Sequence, residues 1–263
     1  MFVLEKLDFL INYLLKENQE ISVNKISTNI DDKKNLYRSL CNIRDAKKIS
    51  SKFLKVEDEY LQEELKTKGI VENIENSKIT DIIYLWKGDI TTLKVEAAVN
   101  AANSQGIGCF IPCHKCIDNC IHSASGIRLR LECSEKMKQI GKLETGKAFI
   151  TMGYNLPSKY IIHTAGPIIY EDVTEKEVQQ LKNCYMNSLE IAKANNIREI
   201  AFCCISTGEF RFPKYEACRI AIKTVRNYLK ENTGSFDKIV FNVFTDEDYE
   251  IYNSNLKQCY HIN

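Results

Sequence analysis

Val99 to Asn103 reads V-N-A-A-N, and Gly108 to His122 reads G-C-F-I-P-C-H-K-C-I-D-N-C-I-H. The first stretch is a short apolar run ending in side-chain amides, the pattern of a buried strand that opens into a polar loop. The second crowds four cysteines and two histidines into fifteen positions, with Asp118 and Asn119 among them. His114 and Cys116 stand two residues apart and Cys109 lies shortly before them. Thiolate and imidazole both suit zinc, and three protein ligands leave one tetrahedral corner open for water or substrate. An open corner is what a catalytic site needs and a structural site lacks.

Outward from this unit, short β-branched or aromatic runs alternate with helical stretches. Expected strands are Ile82–Trp86, Ala97–Val99, Ala148–Met152, Tyr160–His163, Ile200–Cys204 and Lys238–Phe244. Expected helices lie near Cys116–Cys133, Glu175–Ala194, Pro213–Glu231 and Asp248–Gln258. Such alternation implies a mixed, largely parallel α/β sheet with helices on both faces. Before Ile79 the texture is helical only. Leu4, Leu7, Ile11 and Leu14 recur at helical spacing, and Asp31 or Asp32 is placed to cap a second helix bearing Leu36, Leu40 and Ile43. A third helix runs from about Phe53 through Leu65 to a stop at Gly69. No chemical constellation falls in this part, and Cys41 reads as a small core residue.

Composition narrows the class. Lys and Arg number 36 against 35 Asp and Glu, which argues against a nucleic-acid binder driven by a basic surface. The apolar run from Phe2 to Leu15 is broken by Glu5, Lys6 and Asp8, so it is neither a secretory core nor a membrane span. Eleven cysteines without a signal peptide point to a reducing, cytoplasmic setting where thiols stay free or bind metal.

Ligands of parallel sheets bind over the carboxyl ends of the strands, so the loops there matter most. They are Gly88-Asp89-Ile90, Asn100 to Asn119, and Ser206-Thr207-Gly208-Glu209-Phe210. Inward-turned N–H groups in the last of these would cradle phosphate. Asp89 suits an amino group such as adenine N6, or equally a helix cap. Asn100 and Asn103 are placed to pin a turn or to hold a hydroxyl-rich ligand.

Taken in order, G-D-I, V-N-A-A-N, a special loop, G-Y-N-L-P, Y-I-I-H-T-A-G-P and I-S-T-G-E-F resemble the macrodomain family of ADP-ribose-binding proteins. The resemblance spans roughly Phe53 to Leu256 and implies a three-layer α/β/α sandwich. Ordinary members carry a glycine run where this chain has Gly108 to Cys116. That departure resembles the zinc-containing branch, described as protein-ADP-ribose hydrolases, which also carries an N-terminal helical extension. The expected division is a helical extension over 1–75 and a macrodomain over 76–263.

The resemblance implies adenine contacts from Asp89 and the Ile90 backbone, with Phe244 stacked on the ring. It implies a diphosphate loop at Ser206, Thr207, Gly208 and Glu209, and places Phe210 beside the distal ribose. Asn100 falls among the ligand contacts. Asn103 and Asp118 match the hydrolytic pair, while Cys109, His114 and Cys116 match the ligands of one zinc ion per chain. The implied reaction frees mono-ADP-ribose from a modified protein, with an ester on Asp or Glu favoured. A lipoyl-carrier protein as target and a sirtuin-like transferase as counterpart are implied in the same way. Nothing in the pattern demands more than a monomer.

Rival readings remain beside this one. The domain is a reader that binds ADP-ribose without cleaving it; Cys113 and Cys116 are a C-x-x-C redox pair; or Cys113 or Cys120 closes a purely structural zinc site. His163 reads as a hydrogen-bonded core histidine and His122 as a packed or capping imidazole. Cys203 and Cys204 read as small buried residues of a central strand.

Overall fold

The structure is a computed structural model that describes residues 2–18 and 26–260. Six strands, β1 (Ile83–Lys87), β2 (Ala97–Ala102), β3 (Ala148–Met152), β4 (Tyr160–Ala165), β5 (Glu199–Phe202) and β6 (Lys238–Val243), form one sheet in the order β1-β6-β5-β2-β4-β3. Each neighbouring pair is parallel except β3 with β4. That exception is a hairpin closed where Gly153 N donates to Lys159 O at 2.8 Å. Parallel neighbours need crossovers. These are α4 (Ile117–Ser125) and α5 (Ile127–Ile140) after β2, α6 (Glu175–Ala194) after β4 and α7 (Lys214–Glu231) after β5, while α8 (Asp246–Tyr260) follows the last strand, β6. Helices cover both faces of the sheet, giving a three-layer α/β/α sandwich. The central strand β2 is buried almost throughout, as its run of alanine and valine requires. No helix among the described residues is long and apolar enough to cross a membrane.

Before the sheet come α1 (Val3–Glu17), α2 (Ile30–Ile43) and α3 (Ser51–Lys68). Their apolar faces form a separate cluster of Leu7, Leu10, Ile11, Tyr37, Leu40, Phe53 and Tyr60, joined to the main domain by Ile127. The cap of α2 is Asn29, whose side chain accepts from Asp31 N and Asp32 N; the two aspartates sit in the first turn instead. Both positions suit acidic residues at a helix N-terminus, so spacing alone could not separate them.

The helix expected over Cys116–Cys133 is two helices. They break at Gly126, where φ is +93° and an added Cβ would lie 3.0 Å from Glu57 Oε2. Glu57, on α3 and fully buried, accepts from Ile127 N at 3.2 and 3.1 Å and from Tyr37 Oη at 2.6 Å. A carboxylate from another helix thus takes up a donor at the head of α5 that the chain itself leaves unsatisfied.

Burial raises the Glu57 carboxyl from 4.5 to about 7. The folded state therefore takes up its proton before the unfolded state does. Stability from this group increases as pH falls from about 7 towards 4.5, and is absent above that window. Glu57→Gln keeps an acceptor for Ile127 N and removes the titration. The stability difference between wild type and Glu57→Gln should shift in favour of wild type on acidification through this window, by at most about 3 kcal/mol. Urea denaturation at a series of pH values reads it, and parallel profiles for the two proteins would sink the burial account.

Candidate functional site

Because β1, β6, β5, β2 and β4 run parallel, their carboxyl ends open on one edge of the sheet. At one end of that edge β1 and β6 are in register, with Lys87 opposite Val243 and Gly88 N donating to Val243 O at 3.0 Å. Asp89 and Phe244 therefore emerge side by side. Asp89 Oδ1 caps the following 3-10 turn, accepting from Thr91 N at 3.0 Å and Thr91 Oγ1 at 2.7 Å. Its Oδ2 faces Lys68 Nζ at 3.5 Å. The Ile90 side chain is buried, which leaves its backbone as the part able to meet a ligand. Phe244 is 74% exposed, an unusual position for a large aromatic unless something covers it.

The loop after β5 is tightly bent. Ser206 adopts φ +66° and Arg211 φ +59°, and Phe212 N donates to Ser206 O at 2.9 Å. Thr207 Oγ1 donates to Cys204 O at 3.1 Å. Phe210 O accepts from Ile169 N at 2.8 Å, tying this loop to the one after β4. The two loops approach so closely that a Cβ on Gly166 would sit 1.9 Å from Ser206 Oγ. Ser206 Oγ is buried and has no hydrogen-bond partner. Gly208 has open space around it. A strained, concave turn with a buried free hydroxyl suits an anion approaching the backbone.

Next along the edge lies the loop from Asn103 to Cys116. Asn103 Oδ1 accepts from Gln105 N at 3.0 Å and Gly106 N at 3.2 Å, and its Nδ2 donates to Gly108 O at 3.3 Å. The side chain pins the turn. Cys109, His114 and Cys116 then converge, with their donor atoms within 4.8 Å of one another. Cys109 Sγ stands 3.8 Å from His114 Nδ1. Burial first, and the facing Cys109 thiol among the lesser causes, pushes the Cys116 thiol up to about 12, a direction that a bound cation would reverse. Two thiols and an imidazole at this spacing can hold a metal ion, and the donor set fits zinc. Cys113 points elsewhere, with Sγ 3.2 Å from Ser39 Oγ on α2. Cys120 Sγ meets Arg38 Nη2 at 3.7 Å. Neither belongs to the group.

Asp118 occupies the first turn of α4, two residues after Cys116. It is 4% exposed, and Oδ1 accepts from Asn100 Nδ2 at 2.7 Å while Oδ2 has no partner. Burial raises its carboxyl to about 6, against the opposing effects of the Asn100 hydrogen bond and Arg130. Asn100 is itself fully buried, and its Nδ2 also meets His163 Nδ1 at 3.1 Å. The structure thus turns Asn100 towards Asp118, beneath the cleft. His163 is a core residue, stacked on Phe149 at 4.6 Å and bonded to Thr151 Oγ1 at 2.9 Å; burial pushes it down to about 3. His122 is buried with neither ring nitrogen hydrogen-bonded, and its Nε2 lies 3.6 Å from Asp118 Oδ1. Cys203 and Cys204 fall just beyond β5, whose last residue is Phe202.

Glu209 was expected against diphosphate. Its Oε1 lies 3.6 Å from His114 Nε2, on the ring nitrogen opposite the one that faces Cys109. At that distance the two are not hydrogen-bonded, and the Glu209 carboxylate stays exposed. Sequence reasoning missed Arg38, Asn42 and Arg130 around the Cys/His loop, and noted Asn119 there without a role. A buried arginine on the face of α5 shared with Leu129 and Cys133 was the one available signal.

An α/β/α sandwich around this mixed six-stranded sheet is similar to the fold of macrodomains. The Macro domain family model matches residues 99–221. A protein-ADP-ribose hydrolase of Treponema medium is 46% identical over 254 residues, covering 95% of this chain and 97% of its own length. Among solved structures, an Oceanobacillus iheyensis macrodomain with ADP is 36% identical at TM-score 0.63, covering 70% of this chain and 95% of its own. A Trypanosoma brucei macrodomain in complex with ADP-ribose is 27% identical at TM-score 0.63, covering 82% of this chain and 94% of its own. This chain belongs to the macrodomain family.

Proposed function

We propose that this protein is a protein-ADP-ribose hydrolase that uses one zinc ion and removes mono-ADP-ribose from Asp or Glu side chains. The observation that carries it is the junction of Cys116 and Asp118. Cys116 caps α4 and Asp118 stands two residues on in its first turn with a buried, unpartnered Oδ2, which supports the last soft donor and the carboxylate acting together. The activity in the name of the Treponema relative and the ADP-ribose bound by the trypanosomal domain support the substrate.

In this reading Asp89 and the Ile90 backbone hold the adenine and Phe244 stacks on it. Ser206, Thr207, Gly208 and Glu209 wrap the diphosphate, and Phe210 borders the distal ribose. Asn103 orients that ribose, while Asn100 acts on the ligand through Asp118. Cys109, His114 and Cys116 would hold the zinc, which would supply a Lewis acid beside the distal ribose. Asp118 takes a proton from the attacking water as its oxygen bonds to the C1″ carbon. The bond from C1″ to the ester oxygen breaks, and the protein carboxylate leaves with the electron pair. Asp118 then returns its proton to solvent. A carboxylate is a stable leaving group, which favours Asp and Glu linkages over serine, whose alkoxide would need protonation.

The division at 75/76, cytoplasmic placement and a monomeric state belong to the same reading. So do a lipoyl-carrier target and a sirtuin-like transferase counterpart, supported by the family resemblance alone. The reader alternative is disfavoured by the free Oδ2 of Asp118, and the dithiol alternative by Cys113 facing α2. The test is release of free ADP-ribose from carboxylate-linked and serine-linked mono-ADP-ribosylated proteins. Release from the carboxylate adduct, at least about tenfold faster than from serine, is expected. Tight ADP-ribose binding with no release from either would make the protein a reader.

A further inference from the structure

Between β2 and α4 the Cys/His loop forms no strand or helix of its own. Other side chains hold its backbone at close intervals. From α5, Arg130 donates to Ile107 O at 3.0 Å through Nε and to Cys109 O at 2.9 Å through Nη2. Asn119 Nδ2 donates to Ile111 O at 2.9 Å. Further anchors come from α2, across the junction with the N-terminal helices. Asn42 Oδ1 accepts from Cys113 N at 2.9 Å. Arg38 Nη2 donates to His114 O at 2.8 Å, and Arg38 Nε and Nη2 reach Asn119 Oδ1 at 3.2 and 2.7 Å. Arg130 also closes back on α2, with Nη1 donating to Asn42 O at 2.5 Å. Asn42, Asn119 and Arg130 are all buried, at 2%, 0% and 5% exposure.

We infer that α2 is part of the metal site, with Arg38 and Asn42 as positioning residues that set the spacing of Cys109, His114 and Cys116. The inference rests on the zinc reading above and gives α2 a role in it. Arg38 has the shape for the task, because a planar guanidinium can serve a backbone carbonyl and an amide oxygen together. The helix does not depend on Arg38 for its docking. Tyr37 and Leu40 bury against α1 and α3, and Tyr37 bonds to Glu57. Losing Arg38 therefore loosens the loop and leaves Asn119 Oδ1 without its charged donor, while the helix stays in place.

Arg38→Met and Arg38→Lys should be compared with wild type and with Lys34→Met. Lys34 lies on the same helix but pairs with Glu64 on α3 at 2.8 Å. Four quantities are read: the rate of zinc loss to a chelator, kcat and KM for ADP-ribose release, ADP-ribose Kd and Tm. In Arg38→Met, zinc should leave at least about tenfold faster and kcat should fall about tenfold, as for other residues that orient metal ligands. ADP-ribose Kd should stay close to that of Lys34→Met, and Tm should fall by no more than a few degrees, because Ser123 Oγ still donates to Asn119 Oδ1 at 3.3 Å. Arg38→Lys should fall between, since an ammonium serves the two acceptors less well, and it carries the comparison if Arg38→Met does not fold. Zinc retention and kcat equal to those of Lys34→Met would overturn the inference alone. A wild-type protein that neither retains zinc nor releases ADP-ribose would overturn the hydrolase reading and this inference with it.

Discussion

Replacing Asp118 with alanine is expected to lower kcat for ADP-ribose release by at least a hundredfold and to leave ADP-ribose Kd within a few-fold. Proton transfer by a positioned carboxylate contributes on the order of a hundred- to ten-thousand-fold. Here the carboxylate is held by Asn100 at one oxygen and is free at the other, in the turn that follows Cys116. Ligand affinity in the proposed site comes from the far end of the cleft, at Asp89, Phe244 and the loop after β5. Truncating Asp118 removes none of those groups. Single-turnover release and calorimetric titration with ADP-ribose separate the two quantities. Release at the wild-type rate would remove Asp118 from the mechanism, and a matching loss of binding would make it a ligand contact.

Stripping zinc with a chelator is expected to cost about a hundredfold or more in release, restored by adding zinc back. A Lewis acid is worth several kcal/mol of transition-state charge stabilisation, and about 1.4 kcal/mol corresponds to a factor of ten. The grouping of Cys109, His114 and Cys116 without Cys113 or Cys120 offers three donor atoms that could hold a metal ion. If the stripped protein stays folded and equally active, the metal is structural and Asp118 carries the chemistry unaided. Measuring Tm on the same samples guards against loss of fold being read as loss of catalysis.

The alternation of apolar runs and amphipathic helices determined the sheet by itself. Strand and helix periods are local properties of the backbone, and the six strands expected from pattern overlap the six observed. The site loops were legible for the same reason. Parallel strands place their carboxyl ends on one edge, so V-N-A-A-N, G-D-I and S-T-G-E-F had to share it. The clustering of Cys109, His114 and Cys116 followed from their closeness in the chain.

What the sequence left open depended on contacts between distant residues. The break at Gly126 answers to Glu57, sixty-nine positions earlier, whose carboxylate lies where a side chain would stand. Asn100 reads as a ligand contact in V-N-A-A-N, and its further bond to Asp118 depends on α4 crossing β2. Glu209 meets His114 only because the loops after β5 and β2 end beside each other. Arg38 and Asn42 sit on a helix with no chemical motif, and packing alone delivers them to the Cys/His loop. Local pattern sets which segments become strands and helices. The hydrogen-bond needs of buried amides, carbonyls and carboxylates, which one segment cannot meet alone, decide which side chains come together.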